Sequence, residues 1–101
     1  MLIVSGVNIF PSDIEYVVRG LPGLTGEYRI TVYNEHRLLR FEVDVEAAEG
    51  YEAKAEMLAQ QVTELIKQRS GVNPRQVNVL ENGTLPRATH KAKRIVDLRN
   101  T

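Results

Sequence analysis

Cysteine is absent from all 101 residues, so disulfides, thiolate nucleophiles and thiolate metal sites are excluded. The same absence accords with a cytoplasmic location. Charge of one sign is missing too, because thirteen Lys and Arg balance thirteen Asp and Glu. With a formal net charge of zero, no global field draws the chain to nucleic acid or to an anionic membrane. Aromatics are sparse at 6%, which leaves no platform for stacking unpaired bases. No apolar run approaches the roughly 20 residues that span a bilayer. Met1-Leu2-Ile3-Val4 has neither the basic head nor the small-residue cleavage site of a signal peptide. A strand-like run at the very start, with no leader, is expected of a piece cut from a longer protein and equally of a short natural one.

Catalytic signatures are missing as well. There is no phosphate-cradling glycine loop, H-E-x-x-H pair, nucleophile elbow or dinucleotide fingerprint. His36 and His90 stand alone, so no metal site is expected. What remains is an ordinary globular composition, 43% hydrophobic and 26% charged, without repeats or low complexity. That suffices for one domain with one modest core.

The apolar runs Leu2-Ile3-Val4 and Val7 to Phe10 are broken by Ser5-Gly6, which reads as a bulge or a tight hairpin. Pro11 suits a first helical turn, and Ser12 with Glu15 has capping-box spacing. Ile14, Val17, Val18 and Leu21 then form one apolar stripe, ended by Gly20 and Pro22-Gly23. Tyr28, Ile30 and Val32, and later Leu39, Phe41, Val43 and Val45, alternate with polar neighbours. Period two on both arms predicts an antiparallel hairpin with a buried and a wet face, turned at Asn34-Glu35-His36 and followed by a loop from Ala47 to Gly50. Glu42, Asp44 and Glu46 fall on the wet face, as a solvated row rather than as paired catalytic carboxylates.

A second helix places Ala55, Leu58, Val62, Leu65, Ile66 and Arg69 inward and stops at Gly71 and Pro74. Val77 and Val79 make another strand, with a turn at Glu81-Asn82-Gly83-Thr84. The order predicts an α+β fold, a small ferredoxin-like βαββαβ sandwich, with a basic C-terminal tail left over from Leu85 to Thr101. In that tail a lysine is a mobile point charge able to meet a phosphate or a carboxylate, or is simply solvated. Composition does not separate Lys91 from Lys93. Likewise Gly6 is a bulge glycine or a point of close approach to a ligand.

The tail also carries a resemblance. Leu85-Pro86-Arg87, then Lys91-Ala92-Lys93-Arg94 and Val96-Asp97-x-Arg99, is similar to the last core motif of AMP-forming acyl-CoA synthetases. In the phenylacetate-CoA ligase group that motif runs L-P-R-S-x-G-K-A-x-R-V-x-D-x-R. The segment from Ile3 to Glu15, with Gly6-Val7-Asn8-Ile9-Phe10-Pro11, resembles the group's I-x-x-x-G-V-N-V-F-P-x-x-I-E, just after its inter-domain hinge, and Leu21-Pro22-Gly23-Leu24 continues it. The two motifs stand in order at domain spacing and take in most of the chain. Two positions depart, with His90 where the group has glycine and Ala88 where it has serine. A side chain at position 90 restricts φ and adds bulk beside a phosphate.

The resemblance implies that residues 1–101 are the C-terminal lid domain of an adenylate-forming enzyme whose large N-terminal ATP-binding domain, the lid's partner, is absent. Such enzymes join ATP and a carboxylic acid into an acyl-adenylate, then transfer the acyl group to CoA, with Mg2+ as the metal of the full-length enzyme. By position, Lys91 is the adenylation lysine, Gly6, Val7 and Asn8 form the CoA-facing loop, and Arg87 and Arg94 order the tail or touch the partner domain. The isolated domain is expected to be inactive, with none of these cofactors bound. The other reading is a free-standing ferredoxin-like regulatory or small-molecule-binding module, which has no need of the Leu-Pro-Arg-x-x-x-Lys-Ala-x-Arg tail.

Overall fold

Alternation of apolar and polar residues sets up the centre of the molecule. The computed structural model describes residues 2–4, 7–9, 11–35, 38–85 and 95–97. Two short strands, β1 (Leu2–Val4) and β2 (Val7–Ile9), pair antiparallel with Val4 opposite Val7 and Leu2 opposite Ile9. Of the two sequence readings, hairpin or bulge, the hairpin holds. It is a sheet of its own rather than a contributor to the main one.

Helix α1 (Pro11–Gly20) buries Ile14, Val17 and Val18, the predicted stripe. Ser12 lies inside the helix rather than at its cap, and Glu15 turns its carboxylate to Arg19 one turn on, at 3.2 Å. The helix is ended by Leu21-Pro22-Gly23. Gly23 has φ +97°, and a Cβ there would sit 2.7 Å from the Tyr51 ring. Only glycine meets both demands.

The long hairpin joins β3 (Leu24–Glu35) to β4 (Leu38–Ala47). Glu35 pairs with Leu38, so Asn34 and Glu35 belong to the strand and not to the turn predicted from Asn34-Glu35-His36. His36 itself lies outside the described residues. A short 3-10 turn, Glu52–Lys54, leads into α2 (Ala55–Ser70). Gly71 closes α2 in the left-handed region, its N–H donating to the Lys67 carbonyl at 2.7 Å. Along α2 only Leu58, Val62 and Ile66 are fully buried, one residue per turn. Leu65 and Arg69, expected inward, lie at the margin of this narrow stripe and are exposed. Arg69 instead bridges to α1, stacking 4.0 Å over the Tyr16 ring and pairing with Asp13 at 2.9 Å.

Strand β5 (Gln76–Leu80) adds parallel to β4. The fourth strand comes from the tail: β6 (Ile95–Asp97) lies parallel to β3, with Ile95 opposite Ile30. The main sheet thus has the order β5-β4-β3-β6. The α+β architecture expected from the pattern holds, but the first strand stands outside the main sheet and the segment taken for a leftover tail supplies the missing edge. Both helices cover one face. There Tyr28, Ile30 and Val32 of β3 and Phe41, Val43 and Val45 of β4 meet the α1 stripe and Val62 and Ile66. Burying each large aliphatic side chain of this cluster contributes about 1.5–3 kcal/mol before entropy is counted.

Candidate functional site

The predicted site residues divide into two groups. Val7 and Asn8 lie in β2, opposite Val4 and Ile3. Gly6, Arg87, Lys91 and Arg94 lie outside the described residues, as does His90. What the structure describes is the frame that holds the tail segment at both of its ends.

At the near end, β5 finishes with Leu80 opposite Glu46 of β4. The chain turns at once, the Thr84 N–H donating to the Glu81 carbonyl at 3.1 Å, while the Asn82 side chain donates to the Ala47 carbonyl at 3.2 Å. The N–H of the buried Leu85 then donates to Glu46 Oε2 at 2.9 Å. At the far end, Ile95 enters the sheet opposite Ile30 and runs antiparallel to β5. The chain therefore leaves β5 and enters β6 at the same end of the sheet. Residues 86–94, with Arg87, Lys91, Lys93 and Arg94, connect these two fixed points.

The sheet face away from the helices departs most from expectation. Glu42, Asp44 and Glu46 do not form a solvated row: Asp44 is 9% exposed and Glu46 is fully buried. Register explains the pairing. Arg29 lies directly opposite Asp44 and Asn78 lies opposite it on the other side. Arg29 Nε and Nη2 both donate to Asp44 Oδ2, at 3.0 and 2.8 Å, and Asn78 Nδ2 donates to Asp44 Oδ1 at 2.8 Å. Asn78 also reaches Glu42 Oε1 at 3.3 Å, and the Tyr33 hydroxyl donates to Glu42 Oε2 at 2.9 Å. An open groove runs along this network past Thr31 and the β5 edge. Among the described residues no three His, Asp or Glu side chains converge to hold a metal ion.

Partial burial, the hydrogen bond to Glu42 and the charge of Glu42 and Glu35 together push the Tyr33 phenol above its ordinary value of 10. A raised value means that the folded state favours the protonated phenol. The stability this contributes is full below about pH 10 and is lost as pH climbs through the folded value. Tyr33→Phe, which costs about 1 kcal/mol in neutral solution, is therefore expected to flatten the alkaline loss of stability. Urea unfolding of both proteins at about pH 8 and about pH 11 checks this; parallel declines would sink it.

Residues 6–99 match the family of the AMP-binding enzyme C-terminal domain. The chain belongs to this family. Among curated AMP-binding enzymes, the phenylacetate-coenzyme A ligase of Thermus thermophilus is 33% identical, the match taking in 98% of this chain and 26% of that protein. The chain spans about a quarter of the length of the curated relatives it matches. A crystal structure of a domain of phenylacetate-coenzyme A ligase from Bacteroides vulgatus superposes with a TM-score of 0.87 at 31% identity. It covers 100% of this chain and 94% of that one. A 2-hydroxyisobutyryl-CoA ligase, solved with 2-HIB-AMP and CoA in its thioesterification state, gives 0.88 at 27% identity, over 98% of this chain and 21% of its own. AMP-binding C-terminal domains of acid–CoA ligases thus share this fold, β6 included within the matched residues.

Two features of the domain escaped the sequence reading. Ile95-Val96 is too short for any period to show, and it becomes a strand only because β3 has a free edge beside it. Glu46 is indistinguishable by pattern from Glu42 and Asp44. The parity of the alternation was its one visible signal, and parity does not say what crosses over a strand end.

Proposed function

We propose that this chain is the C-terminal lid of an AMP-forming acid–CoA ligase, with phenylacetate or a related aryl acid as substrate. The observation that carries this reading is the match to phenylacetate-coenzyme A ligases along 98% of the chain. The large N-terminal domain, the ATP, the CoA and the acyl-adenylate belong to the whole enzyme, and Mg2+ is held outside the residues described here. Lys91 supplies positive charge between the acid carboxylate and the α-phosphate as the adenylate forms, where charge builds in the transition state. Gly6, Val7 and Asn8 face the CoA thiol in the second step, and Arg87 and Arg94 order the basic segment against the large domain. A 2-hydroxyisobutyryl-CoA ligase has been solved both after adenylation and in thioesterification, which supports a lid that serves two steps in turn. The cytoplasm, where ATP and CoA are supplied, is the compartment this chemistry needs.

The test is the native gene product. Since this chain makes up 26% of a relative, an immunoblot is expected to show a band about four times the 11.4 kDa of the chain. The purified product should release pyrophosphate from ATP only when an aryl acid is present. A band at 11.4 kDa, or no acid-dependent exchange between ATP and pyrophosphate, would overturn the reading.

A further inference from the structure

Strand β5 is an edge of the main sheet and carries none of the usual guards of an edge. Natural edges are kept from pairing by a charge, a proline or a bulge. Gln76–Leu80 reads Gln-Val-Asn-Val-Leu and runs beside β4 in unbroken register. Among the described residues no strand pairs with its far side. An open groove follows it instead, with the small side chains of Ala55 and Ala59 of α2 on one wall. The direction of its free backbone groups follows from β4. The Phe41 carbonyl accepts the Arg75 N–H at 2.7 Å, and the Ala47 carbonyl accepts the Asn82 side chain at 3.2 Å. Odd-numbered residues of β4 therefore turn their backbone groups to β5. At the observed register Gln76, Asn78 and Leu80 bond to them, and the N–H and C=O groups of Val77 and Val79 point to the open edge. We infer that this edge pairs with the same edge of a second copy of the chain, antiparallel about a twofold axis at Asn78.

The residues around Asn78 fit that axis. A twofold there sets Val77 of each copy opposite Val79 of the other, and these are the residues with outward groups. Each such pair exchanges both of its N–H···O=C bonds. Val77 and Val79, packed at the margin of the core, then continue the apolar side of the sheet across the axis. One step beyond Gln76 and Leu80, Arg75 falls opposite Glu81 of the other copy. Both are exposed, so opposite charges meet on either side of the axis. Moving the axis by one residue in either direction breaks that match. Arg75 has its own contact to Glu35 at 3.5 Å, but its side chain is 52% exposed, which leaves it room to reach a second carboxylate. The two main sheets run on as one, in the order β6-β3-β4-β5-β5-β4-β3-β6. An unrelated edge would satisfy the backbone without answering both charges, and for this reason the occupant is a second copy.

The 101-residue chain itself is the sample, since a relative's domain, 94% of it matched by this chain, was crystallised as a domain. A contact of few residues a side is weak. Sedimentation equilibrium is expected to show a mass rising from 11.4 kDa toward twice that value, half-way at about 100 μM. Arg75→Glu sets like charges opposite each other and should weaken the dimer at least about tenfold; adding Glu81→Arg should restore it to within about threefold. Asn78 meets its own copy as a close, non-hydrogen-bonded pair, with Cα atoms about 4.5 Å apart and so within disulfide reach. The chain has no cysteine, so Asn78→Cys treated with oxidised glutathione should give a disulfide-linked dimer. Gln60→Cys, exposed on α2, should not. Should Asn78→Cys fail to fold for want of the bond to Asp44, the Arg75 and Glu81 variants still decide. A mass fixed at 11.4 kDa up to about 1 mM would leave the edge to some other extended segment and overturn the inference. So would a dimer that ignores Arg75→Glu, a charge swap that restores nothing, or equal cross-linking by the two cysteine variants. Neither half-reaction of a ligase enters the measurement, so its outcome is separate from that of the lid reading.

Discussion

Lys91→Ala in the full-length ligase is expected to lower acid-dependent exchange between ATP and pyrophosphate by about 100- to 1,000-fold while sparing thioester formation from preformed acyl-adenylate. The size follows from the role. A cation held where negative charge grows between a carboxylate and a phosphate stabilises the transition state more than the bound substrates, so its loss appears in the rate of that step. The asymmetry between half-reactions follows from the two-step chemistry proposed for the whole enzyme, since the adenylate would already exist when CoA attacks. Lys93→Ala, two residues on, is the control for general loss of positive charge. Composition left the two lysines equivalent and only the motif Leu85-Pro86-Arg87-x-x-x-Lys91-Ala92-x-Arg94 distinguishes them. A loss shared equally by both half-reactions, or by both lysine variants, would count against Lys91.

Phe41→Ala is expected to destabilise the chain by about 3–5 kcal/mol. Phe41 is 1% exposed, sits opposite Val32 on the central pair of strands and packs in the cluster shared by both helices. Removing the ring leaves a cavity where strand and helix backbones converge, and hydrogen-bonded strands have little freedom to close it. Natural stability of a chain this size is about 5–15 kcal/mol, so the variant loses a large part of it. Thermal unfolding should show a midpoint lower by at least about 12 °C. Val79→Ala on the edge strand β5, half-buried, is the comparison and should cost much less. Similar shifts for the two would show that the cluster does not centre on Phe41.

Much of the fold is legible in the residues. The stripe Ile14, Val17, Val18 admits one inward face, and the alternation along β4 puts Phe41, Val43 and Val45 on the side that meets the helices, though it does not foretell that Asp44 and Glu46 on the other side are buried too. Gly71 ends α2 because only glycine takes the left-handed position without strain. The motifs at either end of the chain carried the family, and the match over residues 6–99 bears that out. The individual site residues are another matter: Lys91, Gly6, Arg87 and Arg94 rest on the motifs, with Val7 and Asn8 placed in β2.

Local pattern determined these features because each depends on residues within a few positions of one another, where period and backbone preference act. Other features were decided only when distant segments met. Arg29 is a partner for Asp44, and Asn78 for both Asp44 and Glu42, because the β3–β4 and β4–β5 registers align them. Ile95–Asp97 is a strand because β3 offers an unpaired edge, not because three residues favour extension. Glu46 is buried because the chain leaving β5 passes over it and donates the Leu85 N–H. In each case the deciding hydrogen bond joins residues far apart in the chain, and a sequence pattern records the donors and acceptors without recording who meets whom.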